Sequence, residues 1–259
     1  MNFYSSSLRA AVLVIVHFVA YLCHSMKKEW QLQACCCTAI CNGCFHANRA
    51  REDEGGLKRK CPFCRKRPPK TKKEADICLM NRAAANDPLA LRKIGLDKYL
   101  RGNDDDETFL EAVEYLSRAA ALRDAFALFY LSCFRRMGKG VERDEKLGIY
   151  YLEESALAGA NDARFALGMF EEEKGNFDRA VKLWIIAANC GHDDSLDSLK
   201  KCYKEGRISK EDFASALRTH QATVNATKSP QREATKDMFV IPFDTFDMIC
   251  KQVMRMGVK

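Results

Sequence analysis

The sequence lacks an apolar run long enough to span a membrane. The run Ala10–Cys23 covers 14 residues. A spanning helix needs about 20 apolar residues, so this length is closer to that of a signal-peptide h-region or a core segment. No small-residue cleavage motif stands near Cys23, and positive charges lie on both sides of the run. Residues 1–32 therefore have three competing interpretations: a membrane anchor, a signal peptide, or an incorrectly assigned start of the chain.

Residues 87–225 lack a catalytic constellation. The "GKGV" segment at 138–141 has glycines but not the rest of a phosphate-binding loop. Acidic groups such as Glu153–Glu154 and Glu171–Glu173 are typical of solvated helix faces. His192 follows a predicted helix and is interpreted as a capping residue rather than a base. This part of the sequence favours binding over catalysis.

Acidic residues are scarce between His46 and Lys73, where basic residues are concentrated. Between His46 and Lys73 there are eleven Lys or Arg and three acidic residues, a balance of +8 in a chain of net charge +7. Such a run solvates a small module or linker, or serves nuclear import or nucleic-acid binding. Because Phe63 is the only aromatic residue among these charges, we expect no specific recognition of nucleic acid.

Cysteine is abundant, and seven of the thirteen cysteines cluster between Cys35 and Cys64. Pairs at metal-ligand spacing in a reducing compartment indicate zinc, whereas the scattered cysteines are typical of buried thiols. Tetrahedral zinc takes four Cys or His ligands, and a C-x-x-C turn supplies two. We expect zinc to be bound within residues 33–67. The candidate ligands are Cys36, Cys37, Cys41, Cys44, Cys61 and Cys64.

This segment resembles the second half of a RING finger, in which ligand pairs one and three hold the first zinc and pairs two and four the second. The resemblance assigns pair three to Cys41 and Cys44, pair four to Cys61 and Cys64, and the first ligand of pair two to Cys36. Thr38 stands where the usual histidine would be, so Cys35 or Cys37 must replace it. Pair one has no counterpart, which puts the first site in doubt.

A RING resemblance implies a function in ubiquitin transfer. Pro62, Phe63 and Arg65 match positions at which RING ligases contact the conjugating enzyme and steady its ubiquitin. The apolar contact residue that follows pair one in such ligases is missing. The alternative is a zinc knuckle with a purely structural role.

Residues 87–225 repeat one phrase. The same apolar position returns at Ile94, Leu131, Leu167 and Leu199, in steps of 37, 36 and 32 residues, and a closing glycine returns at Gly102, Gly138, Gly175 and Gly206. Two helical phrases per unit at this period predict a mainly α fold, a helical-hairpin solenoid of about four units.

The repeats resemble the Sel-one-like repeat, a relative of the tetratricopeptide repeat. The second unit matches at Leu131, Gly138, Gly140, Val141, Asp144, Lys146 and Ala156, and the third at Leu167, Gly168, Ala180, Ala187, Ala188 and Gly191. The resemblance implies adaptor function, meaning that the array binds protein partners rather than performing catalysis.

The remaining segments connect or flank these two parts. Residues 68–86 read as a basic linker and a short helix, and residues 226–259 as a disordered linker with an apolar tail. Helix N-caps are expected at Asp144, Asn161 and Ser209. In the last hairpin a buried stripe is predicted at Ile208, Phe213, Leu217 and Val224.

The sequence therefore predicts a zinc-binding protein-interaction adaptor, with ubiquitin ligase activity as one version of it. The alternatives are a non-catalytic scaffold and an adaptor associated with a membrane or a lumen. Expected partners are proteins bound by the repeats and, for a ligase, a ubiquitin-conjugating enzyme. A cytoplasmic or nuclear location is favoured, with membrane association tied to the apolar start.

Overall fold

A computed structural model of the protein describes residues 30–101, 106–138 and 140–234. The apolar run Ala10–Cys23 and the apolar tail from Met238 lie outside these residues. Among the described helices, none is both long and apolar enough to cross a membrane. The described residues divide into two compact units, one formed by residues 30–79 and 229–234 and the other by those between 80 and 228.

The first unit contains a short antiparallel hairpin and three helices or parts of helices. Its elements are β1 (Trp30–Gln33), β2 (Thr38–Cys41), α1 (Asn42–Glu54), the start of α2 (Lys72–Ala84) and α11 (Pro230–Glu233). Trp30 pairs with Cys41 and Gln33 with Thr38, which leaves a four-residue loop between the strands. Cys37 closes this loop at a φ of 52°, and its N–H donates to the Gln33 carbonyl at 2.8 Å.

Helix α11 belongs to the first unit although it follows the repeats in sequence. It packs against α1 at Gly43. A Cβ atom at Gly43 would lie 2.6 Å from the backbone of Gln231 and Arg232, so only glycine permits this approach. Ser229 caps α11, since its Oγ accepts a hydrogen bond from the Arg232 N–H at 3.2 Å.

The second unit is a series of helical hairpins. Its helices are α3 (Pro88–Arg101), α4 (Asp106–Ala121), α5 (Ala125–Met137), α6 (Glu145–Leu157), α7 (Asn161–Glu173), α8 (Phe177–Asn189), α9 (Asp193–Lys204) and α10 (Lys210–Thr227). Helix α3 packs against α4, α5 against α6, and α7 against α8. Each hairpin also packs on the next, through α4 and α5, α6 and α7, and α8 and α9. The predicted mainly helical hairpin array is confirmed.

Side-chain caps fix where several of these helices begin. Asp144 accepts from the Leu147 N–H at 2.9 Å, and Ser209 accepts from the Asp212 N–H at 3.0 Å, as predicted. The prediction for Asn161 is wrong by one position: Ala160 is the N-cap residue, and it makes no side-chain capping bond. His192 caps α9, with its Nδ1 accepting from the Ser195 N–H at 3.2 Å.

An ion pair links the first two hairpins. The Arg92 Nε lies 3.0 Å from an Asp124 carboxylate oxygen, and both side chains are about nine-tenths buried. Asp124 also caps α5 by accepting from the Ala127 N–H at 2.8 Å. The carboxylate therefore joins α3 to the start of α5, and its burial is compensated by both contacts.

Small residues allow the helices of the third hairpin to approach closely. Ala187 and Ala188 on α8 are fully buried, and Trp184 is 2% exposed. The Trp184 indole N–H donates to the Phe165 carbonyl at 3.2 Å, and the indole ring lies over Gly168. A Cβ atom at Gly168 would lie 2.3 Å from the indole nitrogen, so the contact requires glycine.

A fourth pair of helices, α9 and α10, follows. Helix α10 packs on α8 as well as on α9, and Thr223 donates to the Asn189 carbonyl at 2.9 Å. The predicted buried stripe of α10 is partly wrong. Leu217 is 43% exposed, and the buried positions are Ala216 and His220.

We expect Gly168→Leu to lower the free energy of unfolding by about 1–3 kcal/mol, because the added side chain overpacks the contact with Trp184. Urea melts of the full chain followed by far-UV circular dichroism measure this change. Ala222→Leu, at an exposed position of α10, is the matched control and should leave the midpoint nearly unchanged. Equal midpoints for the two variants would contradict the packing at Gly168.

Candidate metal centre

Four cysteines of the first unit come together in space. The Sγ atoms of Cys35, Cys36, Cys61 and Cys64 all lie within 4.8 Å of one another. The Cys36 and Cys61 sulfurs are 3.7 Å apart, and the Cys64 and Cys35 sulfurs are 3.5 Å apart. Two of these residues come from the loop between β1 and β2, and two come from the C-x-x-C turn after α1. We call this group the four-cysteine cluster.

Local backbone geometry places both pairs. The Cys36 N–H donates to the Gln33 carbonyl at 3.1 Å, which folds the hairpin loop back on the end of β1. In the second turn the Cys61 N–H donates to the Lys66 carbonyl at 2.8 Å, and the Arg65 N–H donates to the Cys61 carbonyl at 2.9 Å. Arg65 has a φ of 57°, a conformation that non-glycine residues adopt rarely and mainly in tight turns.

The cluster has the donor set and the dimensions of a structural zinc site. Four thiolates are a preferred set for tetrahedral zinc, and a Zn–S bond of about 2.3 Å puts neighbouring sulfurs about 3.8 Å apart. Two of the separations, 3.5 and 3.7 Å, lie close to that edge length. A disulfide requires about 2.0 Å, and every cysteine among the described residues is a free thiol.

The thiols influence each other's ionisation. Burial raises the pKa of Cys35 and of Cys61. Burial acts in the same direction on Cys64, but hydrogen bonds from the Lys66 backbone and from the neighbouring thiols outweigh it and lower its pKa. Four thiolates in this volume repel one another, and a divalent cation among them would stabilise the deprotonated forms.

The structure differs from the sequence prediction at one ligand. It brings Cys36, Cys61 and Cys64 together as expected, but the fourth sulfur belongs to Cys35 rather than to Cys37. Cys37 is buried and occupies the last position of the hairpin loop. Sequence spacing does not decide between Cys35 and Cys37 as the fourth ligand. In the folded hairpin the two differ in backbone conformation, since Cys37 has a positive φ.

Cys41 and Cys44 form a separate pair outside the four-cysteine cluster. Cys41 is the N-cap of α1, and its Sγ accepts from the Cys44 N–H at 3.4 Å. Burial raises the pKa of Cys41, but the Cys44 N–H and the Arg232 side chain outweigh it, so the pKa is lowered. Cys44 is exposed. In the RING resemblance, the four-cysteine cluster corresponds to ligand pairs two and four. Cys41 and Cys44 correspond to pair three, which lies outside the cluster.

A groove on the second unit is a separate candidate site for binding. It has a volume of about 580 Å³ and lies where the end of α5 and the start of α6 face α7. Its lining consists of four cations, three acidic residues and two apolar residues: Arg135, Arg143, Lys146 and Lys174; Glu142, Asp144 and Glu145; Ile149 and Phe170. Two cations approach the Phe170 ring, Lys174 at 4.1 Å and Arg136 at 5.4 Å from its centroid.

No sequence pattern indicates this groove. The acidic run Glu171–Glu173 predicts a solvated helix face, whereas Glu171 is 7% exposed and accepts from the Asn176 amide at 2.7 Å. The second repeat's loop and the third repeat's first helix are about 30 residues apart in sequence, so only packing brings Arg143 and Phe170 together.

The comparisons with known proteins agree with the helical repeats. The Sel1 repeat family matches residues 88–124, 125–159 and 161–192. The Sel1 repeats predicted from the sequence are therefore confirmed, and proteins of this kind act as protein-interaction adaptors. The match covers the first three hairpins and not the pair α9 and α10. The RING-like zinc finger has no family match and stays a prediction.

Solved structures similar to this chain include the following two. One is c5321, described as a protective antigen present in uropathogenic Escherichia coli strains displaying an SLR fold, at 20% identity, 67% coverage of this chain and a TM-score of 0.47. The chain spans 37% of that protein's length. The other is a Sel1 repeat protein from Oxalobacter formigenes, at 22% identity, with 73% and 75% of the two chains covered and a TM-score of 0.48. A comparison with curated proteins gives no significant match.

The four-cysteine cluster predicts at least one tightly bound zinc ion per chain, since the described residues bring one set of four thiols together. Metal analysis of the purified full chain measures the stoichiometry. Cys61→Ser should abolish the zinc content, whereas Cys78→Ser, outside the cluster, should retain it. Cys35→Ser and Cys37→Ser form an adjacent matched pair, of which only the first should lose zinc. Retention of zinc by Cys35→Ser would contradict the proposed ligand set.

Proposed function

We propose that this chain, whose residues 88–192 carry Sel1 repeats, is a protein-interaction adaptor stabilised at its N-terminal unit by a structural zinc ion. The observation that carries the zinc part is the four-cysteine cluster. Free thiols throughout the described residues suit a reducing compartment, which makes the cytoplasm or the nucleus the proposed location.

Zinc would add a stabilising centre to the described part of the first unit. Among residues 30–71 few apolar residues are buried, namely Cys37, Ile40, Cys41 and Cys61. Cys35 and Cys36 in the hairpin loop and Cys61 and Cys64 in the later turn would hold the ion. Binding would then join two parts of the chain that hydrophobic burial alone joins weakly.

The groove on the second unit is the proposed site for part of a protein partner. Ile149 offers partly exposed apolar area beside the buried Phe170 ring, and the lining carries four cations, among them Arg143 and Lys174, against three carboxylates. The carboxylate of Asp144 is already used as the cap of α6. We infer that the groove prefers a peptide segment in which an apolar side chain is flanked by acidic residues.

Selection from a displayed random-peptide library on the full chain tests this preference. The selected peptides should be acidic with a central apolar residue. Arg143→Glu together with Lys174→Glu should weaken their binding at least about tenfold, because two attractive contacts become repulsive. Lys200→Glu together with Lys204→Glu, an exposed pair on α9, is the control of equal charge change. Selected peptides that bind both variants equally would place the binding site elsewhere.

Ubiquitin ligase activity is a second candidate function, supported by the surface of the C-x-x-C turn. Pro62, Phe63 and Arg65 are exposed, and Phe63 is 48% accessible although it is a large apolar residue. Exposed aromatic and arginine side chains on a rigid turn are typical of sites that contact another protein. The matching positions of RING ligases contact the conjugating enzyme and its ubiquitin.

If the chain is a ligase, Arg65→Ala should slow discharge of ubiquitin from a conjugating enzyme at least about tenfold without releasing zinc, because the guanidinium would stabilise the transferring complex rather than the turn. Single-turnover discharge assays measure the rate, and metal analysis measures the zinc. Arg67→Ala is the matched control. No discharge by the unsubstituted chain above background would leave the adaptor as the function of this protein.

A further inference from the structure

The segment Lys58–Lys73 is a concentrated positive surface. It contains nine Lys or Arg and no acidic residue: Lys58, Arg59, Lys60, Arg65, Lys66, Arg67, Lys70, Lys72 and Lys73. All nine are exposed. We call it the basic segment. It encloses the C-x-x-C turn of the four-cysteine cluster, so part of it is held on a compact turn.

The basic segment is almost without internal charge compensation. Among the described residues, Arg59 pairs with Asp53 at 3.0 Å, and the other eight cations of the segment form no ion pair. Elsewhere in the described chain, eight basic side chains have acidic partners, for example Arg92 with Asp124 and Lys93 with Asp97. A field of one sign on one surface favours a polyanionic ligand.

The form of the segment indicates which polyanion. Seven of its nine cations lie outside helices, and only Lys72 and Lys73 belong to α2. Membrane-surface segments usually carry their cations on the polar face of a helix whose other face is apolar. Here the backbone is a turn followed by the Pro68–Pro69 stretch, a conformation suited to following an extended, charged strand.

An exposed aromatic ring lies in the middle of the charges. Phe63 is 48% exposed and stands on the C-x-x-C turn between Lys60 and Arg65. Proteins that bind single strands without sequence preference combine a positive surface with aromatic rings on which unpaired bases stack. A duplex keeps its bases stacked internally and offers no such face.

We propose that the basic segment binds single-stranded nucleic acid, through phosphate contacts of its cations and stacking of a base on Phe63. This function goes beyond that of the zinc-stabilised adaptor. The segment contains no Asn, Gln, Asp or Glu between Lys58 and Lys73, so the side chains that most often read adenine and cytosine edges are missing. Phosphate contacts and base stacking carry no sequence information of their own, so binding is independent of sequence, in agreement with the expectation that there is no specific recognition.

Fluorescence anisotropy with a labelled oligouridine of about 20 nucleotides, longer than a typical binding site, tests the proposal on the full chain. We expect the logarithm of the affinity to fall linearly with the logarithm of salt concentration between about 50 and 200 mM. Lys66→Glu, Lys70→Glu and Lys73→Glu combined should weaken binding at least about tenfold and reduce the slope by about 2, which corresponds to three lost phosphate contacts.

The matched control combines Lys182→Glu, Lys200→Glu and Lys204→Glu, three exposed lysines of the second unit with the same change in net charge. It should change the affinity less than about threefold. Phe63→Ala should weaken binding about fivefold or more. Zinc analysis of each variant separates this proposal from the metal site, because all of them should keep their zinc.

Several results would overturn the proposal. One is the absence of oligouridine binding by the unsubstituted chain at low salt, and another is equal weakening by the two triple variants. A preference for double-stranded DNA of the same length, or for vesicles containing phosphatidylserine with no oligouridine binding, would assign the basic segment to a different polyanion.

Discussion

The second unit depends on the close approach of paired helices. In the third hairpin this approach reaches its limit at Gly168, where the Trp184 ring occupies the space that any side chain would need. The N–H of the same indole donates a hydrogen bond to the Phe165 carbonyl, so the large side chain is buried without an unpaired donor. Because each hairpin rests on the next, the position of the groove beside Phe170 follows from this packing.

The first unit depends on a different constraint. Its described residues before α2 include few buried apolar side chains, and four cysteine sulfur atoms gather among them. With zinc bound as proposed, directional coordination would hold the C-x-x-C turn, and with it Phe63, at a defined place. The second unit is stabilised by extended helical packing, and for the first unit we propose stabilisation by a compact set of metal ligands.

The parts of this structure that the sequence predicted are those with a strong local signal. Glycine spacing and apolar periodicity gave the helical hairpins, and Asp144 and Ser209 were recognisable as caps because their side chains act within one turn. The sequence could not distinguish Cys35 from Cys37, since the choice depends on the geometry of a hairpin loop. It also misplaced Leu217, because α10 packs against two helices and its buried face is set by both.

The contact of α11 with Gly43 has a consequence for the order of biosynthesis. Gln231 follows Gly43 by 188 residues, and the whole second unit is encoded between them. At a translation rate of about 5–20 residues per second, α11 leaves the ribosome roughly 10–40 s after α1. During that interval the nascent N-terminal unit exposes the surface around Gly43 that α11 later covers. A chain truncated anywhere before Ser229 would keep that surface uncovered permanently, even with every repeat intact.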